Sequence, residues 1–358
     1  MNNFYHTDNK SALEAITEAH RIAFAPFLFQ ATVALDNLGI LAAVDQSRKH
    51  GISINEIAKQ RNLSHYGCSI LLDAGLSIGL FYQKENLFHL SKTGHFLLHD
   101  KMTRVNFEFS RDFCYRGLEQ LQKSIETGKP EGLKSFSDSA TLYPALSTLP
   151  EPAKSSWFNF DHFFSDTAFP EALPIVFDRP IKHLLDCGGN TGKWSLQCVQ
   201  YNDDVKVTII DLPQQLKLMQ KNIAGKKGAE RIQGQPLDFL KLDTELPKNP
   251  DVIWMSQFLD CFSEGQIRSI INKTIAAMGS NTRLCILETF WDQQAFEAGA
   301  LSLNCTSLYF SCFANGDSRM YRAQVFKDLL LQAGLSIVSE HPQLGRSHTL
   351  LICELARH

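Results

Sequence analysis

The stretch from His183 to Asp211, HLLDCGGNTGKWSLQCVQYNDDVKVTIID, constrains the fold more than any other part of the chain. His183-Leu184-Leu185 is a short apolar run that ends at Asp186, and Gly188, Gly189 and Gly192 let the backbone turn sharply. Helical character follows over residues 191–200, and the β-branched run 205–210 closes on Asp211. Strand, glycine turn, helix, strand and acid in that order predict a βαβ unit. Its turn lies at the carboxyl end of the first strand, where open α/β sheets bind ligands.

The residues flanking the turn narrow the ligand. A dinucleotide fingerprint needs glycines where Gly188, Asn190 and Lys193 stand, and the pattern does not fit. A carboxylate at Asp186 would repel a pyrophosphate but suits an ammonium group. Asp211 ends the second strand, where a carboxylate holds a ribose diol. An ammonium at one end and a ribose at the other describe S-adenosylmethionine. The competing reading is a structural turn in another doubly wound protein. The ordered series of acid, glycines, helix, strand and second acid argues against it.

The motif D-x-G-G-x-T-G from Asp186 to Gly192, followed by I-I-D-L-P at residues 209–213, resembles the cofactor motif of class I S-adenosylmethionine-dependent methyltransferases. More narrowly, it resembles the small-molecule O-methyltransferases of plant caffeate and acetylserotonin type and their bacterial natural-product relatives. Those families usually carry a third glycine where this chain has Asn190, the residue type best able to replace glycine in a left-handed conformation. The resemblance implies S-adenosyl-L-methionine as cofactor and an α/β fold. That fold is a doubly wound, mostly parallel Rossmann-like sheet with an N-terminal helical winged-helix dimerisation domain, assembled as a homodimer. It places donor contacts on Asp186, Gly188, Gly189, Gly192, Asp211, Leu212, Asp238, Phe239, Ser256 and Gln257. Gln235 stands where the family usually has an Asp beside the adenine.

A chain of 358 residues has room for more than one domain, and the expected division is 1–103, a helical connector 104–175, and a catalytic domain 176–358. A net charge of -3 gives no reason to expect nucleic acid or an anionic membrane as partner. Nine cysteines without C-x-x-C spacing suit free thiols in a reducing compartment and argue against a zinc cluster. The polar start MNNFYHTDNK lacks a signal-peptide core, and no run approaches the roughly 20 apolar residues of a membrane span. The expectation is a cytoplasmic enzyme.

Residues 11–45 read as two helices with apolar positions such as Ile16, Ile22, Phe24 and Phe27. Ser53 and Glu56 form a capping box, a second helix covers 67–78, and a hairpin turns near Glu85-Asn86. Helix, turn, helix and hairpin describe a winged helix. Its second helix holds no Lys or Arg between His65 and Leu80, which disfavours DNA binding. In the resembled family this domain forms the dimer interface and covers the neighbouring active site; a plain helical core is the alternative. Further on, Phe160, Phe163 and Phe164 share a helical face near Trp157 and Phe158. They are either core or the wall of a pocket that stacks on a flat aryl acceptor, as the family's equivalent helix implies. The remaining strands are expected at 230–234, 251–257, 282–288, 336–340 and 348–354, with a long insert after the third of these.

Methyl transfer to a phenol needs alignment and removal of a proton from a group with pKa near 10. The resembled family supplies a His in F-L-H-x-(W/F)-(S/D), and the match here is Phe258-Leu259-Asp260-Cys261-Phe262-Ser263, with Asp260 at the His position. Of the two glutamates that flank that His in the family, one falls on Glu288 and the other on Met320. Three readings stay open. Burial raises Asp260 into a useful base, His162 replaces it, or the acceptor is a ring carbon whose proton leaves after methylation. A fourth has Asp260 merely capping the next helix. Asp260 with Gly188 and Asn190 is also similar to methyltransferases of aryl polyene clusters. Asp203-Asp204 lies at the wrong end of the sheet for a metal, and none is expected. The acceptor is a small aromatic, free or carrier-bound. The other function classes are a donor-binding protein that does not methylate and a winged-helix regulator.

Overall fold

The computed structural model describes residues 4–165, 167–241, 243–345 and 347–356; the side chains of Ser147, His162, Phe164 and Ser165 also lie outside the described set. The chain forms two compact units, Tyr5–Phe113 and Cys114–His358.

The first unit opens with α1 (Ala12–Ala23), α2 (Ala25–Asn37) and α3 (Ile40–Ser47). Two helices were expected here. The chain breaks at Phe24, and again at Gly39, whose φ of 71° ends the helical path. The predicted capping box starts α4 (Ile54–Arg61): Glu56 accepts from the Ser53 amide at 2.9 Å. Helix α5 (His65–Ile78) begins two residues earlier than expected because the Ser64 hydroxyl accepts from the Gly67 amide. β1 (Phe81–Lys84) and β2 (Leu87–Leu90) pair antiparallel across Glu85 and Asn86, whose φ values of 53° and 62° are those a tight hairpin requires. Helices α6 (Lys92–His99) and α7 (Lys101–Phe109) complete the unit. Its core gathers Leu35, Ile40, Leu41, Leu72 and Phe88. Helix α1 contributes no buried residue, and Ile22 and Phe27 are 76% and 72% exposed.

The second unit begins with α8 (Leu121–Thr127), α9 (Ala153–Ser165) and α10 (Phe169–Val176). Alternation follows: β3 (His183–Cys187), α11 (Lys193–Tyr201), β4 (Lys206–Asp211), α12 (Pro213–Ile223), β5 (Ile232–Pro236), β6 (Val252–Ser256) and α13 (Glu264–Ala277). Then come β7 (Arg283–Thr289), α14 (Glu297–Tyr309), α15 (Ala323–Gln332), β8 (Leu335–Leu344) and β9 (His348–Leu355). The sheet order is β5-β4-β3-β6-β7-β9-β8, parallel except that β9 runs against both neighbours. Successive residues of each strand point to opposite faces, so both faces carry a core. Leu184, Ile209 and Trp254 pack on one side; Leu185, Ile210 and Met255 pack on the other.

One expectation is corrected. The third strand sits two residues later than 230–234, because Gly228 (φ 86°) leads into a single turn at Ala229–Arg231. The long insert expected before α15 holds α14, which runs into a wider π turn, Phe310–Ala314. Among the described residues, no single helix is long and apolar enough to cross a membrane.

Candidate active site

The strand order reverses between β3 and β6, and the crevice at their carboxyl ends holds the glycine turn. Gly188 has φ 73°, and a Cβ there would stand 2.4 Å from the Phe258 ring, so only glycine fits. Asn190 takes the left-handed conformation expected of it, at φ 46°. Asp211 tightens the turn: its carboxylate accepts from the Asn190 amide at 2.9 Å and from the Leu212 amide at 2.7 Å. Gly192 does not face the crevice; it caps α11 and packs against Met219 and Ile223.

Asp186 is 2% exposed and accepts from Ser195 Oγ at 2.6 Å. Burial pushes its carboxyl up to about 7, against the Ser195 hydrogen bond and with help from the charge on Asp211. It lines a recess of about 90 Å³ together with Asp161, Gly189, Lys193, Ser256 and Gln257. Ser256 Oγ and Trp254 Nε1 at this recess are buried without a partner. Unpaired donors are costly unless a ligand meets them. Two carboxyls beside unmet donors fit the zwitterionic amino-acid end of S-adenosylmethionine. Trp194 and Trp254 stack at 3.9 Å to close its floor. Gln257 turns the corner out of β6 at φ 44°, a strained value for a side-chain-bearing residue.

A larger cavity of about 500 Å³ runs on from this turn. Asp211, Leu212, Asp238 and Phe239 line one end, where the nucleoside would sit. Gln235 lies in β5 and is not part of that lining; residues 237–240 take the place expected of it. The other end is aromatic. Trp157 and Phe160 come from α9, Tyr309 from α14 and Phe310 from the π turn. Trp157 Nε1 donates to the Tyr309 hydroxyl at 2.8 Å, and Phe160 meets the Tyr309 ring edge-on at 6.4 Å. Phe163 is half-buried and does not line the cavity, whereas Trp157, Phe158, Phe160 and Asp161 do. His162 and Phe164, candidates as base and as wall, lie outside the described side chains. The contribution of α14 went unread in the sequence, although Ala300, Leu303, Thr306 and Tyr309 repeat on one face.

Asp260 lines the same cavity, in a one-turn helix (Leu259–Cys261) after β6. It is 4% exposed and its Oδ1 has no hydrogen-bonding partner. Burial raises its carboxyl; the neighbouring Cys261 works against the rise, and the charge on Asp161 adds to it. The capping reading fails, because α13 is capped by Ser263, whose amide donates to Gln266 at 3.0 Å. Glu288 on β7 is buried and does not line the cavity. It accepts from the Phe258 amide at 3.1 Å and the Leu259 amide at 2.9 Å, so it holds the turn that carries Asp260. Burial pushes Glu288 well up, and the charge on Asp260 pushes it further. Met320, in place of the second glutamate, is buried and accepts from the Thr289 hydroxyl. The Tyr143 hydroxyl is buried beside the Cys261 thiol. Among the described residues, one group could ligate a metal: Asp45, His95 and His99 in the first unit, with ligand atoms within 4.8 Å of one another. Asp203 and Asp204 are exposed.

A family model described as an O-methyltransferase domain matches residues 171–336, and one described as a dimerisation2-like domain matches residues 17–88. The chain is 21% identical over 319 residues to the L-tyrosine C(3)-methyltransferase of Streptomyces lavendulae, covering 88% of this chain and 85% of that one. It is similar in fold to the S-adenosylmethionine-dependent methyltransferase SibL, with a TM-score of 0.72, 20% identity, and coverage of 94% and 98%. It is likewise similar to the O-methyltransferase NcsB1 of neocarzinostatin biosynthesis, solved with S-adenosylmethionine and 2-hydroxy-5-methyl naphthoic acid. That match has a TM-score of 0.65 and 18% identity, covering 97% of this chain and 100% of that one. The cradle, the unmet donors beside Asp186 and these matches agree. The chain belongs to the family of S-adenosylmethionine-dependent methyltransferases with an O-methyltransferase domain preceded by a dimerisation2-like domain.

Proposed function

We propose that this enzyme methylates a small hydroxyaryl acceptor, with Asp260 as the general base. The observation that carries the reading is the buried, unpartnered Asp260 Oδ1, on a residue that lines one cavity with both the glycine cradle and the aromatic side chains. When bound, the cofactor supplies a methyl group on a sulfonium, which a nearby nucleophile can displace. Asp186 and Asp161 would pair with its ammonium, Asp211 with its ribose hydroxyls, and Asp238 and Phe239 would flank its base. Trp157, Phe160 and Tyr309 would hold the acceptor ring flat, since offset or edge-on aromatic contacts favour one orientation. Asp260, lifted towards neutral pH by burial, accepts the acceptor's proton as the new bond to methyl forms. On oxygen that proton is the phenol's. On carbon it leaves the ring after methylation, as a relative named for C(3)-methylation of tyrosine invites. The isolated product's methyl position separates the two.

The test uses purified enzyme with methyl-labelled S-adenosylmethionine and a panel of phenols. Labelled product is expected, and Asp260→Asn should cut turnover roughly 10²-fold, as for loss of a general base, while donor affinity holds. Tight donor binding with no labelled product from any phenol would leave only the reading of a donor-binding protein. The dimerisation2-like domain and the bare apolar face of α1 support a homodimer.

A further inference from the structure

Among the described residues, the charge that lines the cavity described above is of one sign. Its described lining includes five carboxyls, Asp161, Asp211, Asp238, Asp260 and Asp317, and no Lys, Arg or His. Lys193 lines only the small recess beside Asp186. At the aromatic end the polar groups are Tyr143, Asp161, Asp260, Thr306 and Asn315, none of them a cation. Asn315 is already engaged, donating to the Cys261 carbonyl at 2.7 Å.

An acceptor bearing a free carboxylate would lose hydration here and meet no positive partner among the described lining residues. It would also face Asp260, which must itself become anionic to take a proton. Both effects oppose binding. We infer that the acceptor is a hydroxyaryl compound without a free carboxylate: any acid function it carries is masked as an ester, amide or thioester before methylation. The inference rests on the reading of the cavity as an aryl-acceptor site. It also sets an order of events, because a reaction that activates or esterifies the acid must come first whenever the ring derives from an aromatic acid.

The test is a set of matched pairs, each a hydroxybenzoic, hydroxycinnamic or hydroxynaphthoic acid beside its methyl ester and primary amide. Two readouts are taken at pH 7.5 on the intact enzyme. One is kcat/KM with labelled donor. The other is calorimetric affinity for enzyme saturated with S-adenosylhomocysteine, which needs no turnover. The neutral member of each pair should lead its acid by at least about 100-fold in both, the scale of an unpaired like charge in a closed site. Acids that bind or react as well as their esters overturn the inference. Esters that bind preferentially yet give no product uphold it and overturn the assignment of methyl transfer instead. If neither member of any pair binds, the inference falls. A further variant, Thr306→Lys, installs a cation at the aromatic end; it should narrow the gap in affinity between acid and ester, and an unchanged gap counts against charge as its cause.

Discussion

Asp186 and Asp260 are both carboxyls withdrawn from water, yet they are set opposite tasks. Asp186 must stay charged to hold an ammonium, whereas Asp260 must gain and lose a proton in each cycle. Asp186→Asn keeps the shape and the contact with Ser195 but removes the charge. Donor affinity should fall roughly 10- to 100-fold, the worth of one charge-assisted hydrogen bond, and calorimetry would show it. Unchanged affinity would remove Asp186 from the donor site. The sign of the pH effect follows from the raised native pKa of about 7. Between the ordinary carboxylate value near 4 and about 7, the free native state holds a proton that the unfolded chain does not. The stability Asp186 lends the free protein is therefore complete at low pH and lost as pH rises through about 7. Donor binding needs the ionised form, so affinity should strengthen from pH 6 to pH 8. A flat profile would place the ammonium elsewhere. For Asp260 the expected signature is kinetic: kcat should rise with pH through a midpoint above the usual carboxylate range. A midpoint near 4 would mean that burial has not tuned it.

At the scale of elements, α1 is a helix without a core. Leu13, Ile16, Ile22 and Phe27 are exposed along α1 and α2, a cost that a second copy of the chain would remove. The double variant Ile22→Asp/Phe27→Asp should shift the protein from dimer to monomer by light scattering, with the helical signal in circular dichroism retained. A dimer that persists would move the interface elsewhere. The same scale shows where sequence reading succeeds. Elements announced by local chemistry were legible: the capping box of α4, the Glu85-Asn86 hairpin, and the turn at Gly188. Helix α14 was not, because its polar residues (Glu297, Ser302, Asn304, Thr306 and Ser307) are scattered among the apolar ones and no side chain caps its start, so nothing local marked it as more than an insert. On α9, the expected Trp157 and Phe160 line the cavity, with Phe158 and Asp161 beside them, while Phe163 does not.

Over the whole molecule, the reversal of strand order between β3 and β6 opens a crevice that residues from seven stretches of chain line. That convergence was foreseeable from alternating strands and helices, whereas the lack of any described cation around the cavity was not. Charge around a space belongs to the fold, and the overall balance of -3 says nothing of it. A ligand that binds only the folded protein stabilises it by mass action, by about 2.7 kcal/mol at 100 times its dissociation constant. S-adenosylhomocysteine should raise the melting temperature accordingly for the parent chain and not for Gly188→Ala, whose added methyl meets Phe258 and strains the turn. An equal shift in both would show that the cradle does not hold the nucleoside.

Of the four tryptophans in the chain, Trp194 and Trp254 form the stacked floor of the recess and Trp157 stands in the aromatic wall. The protein's native ultraviolet emission thus originates mostly where its small molecules arrive. Filling either compartment should change its colour or brightness, so stopped-flow traces could time the arrival of each reactant without any attached dye.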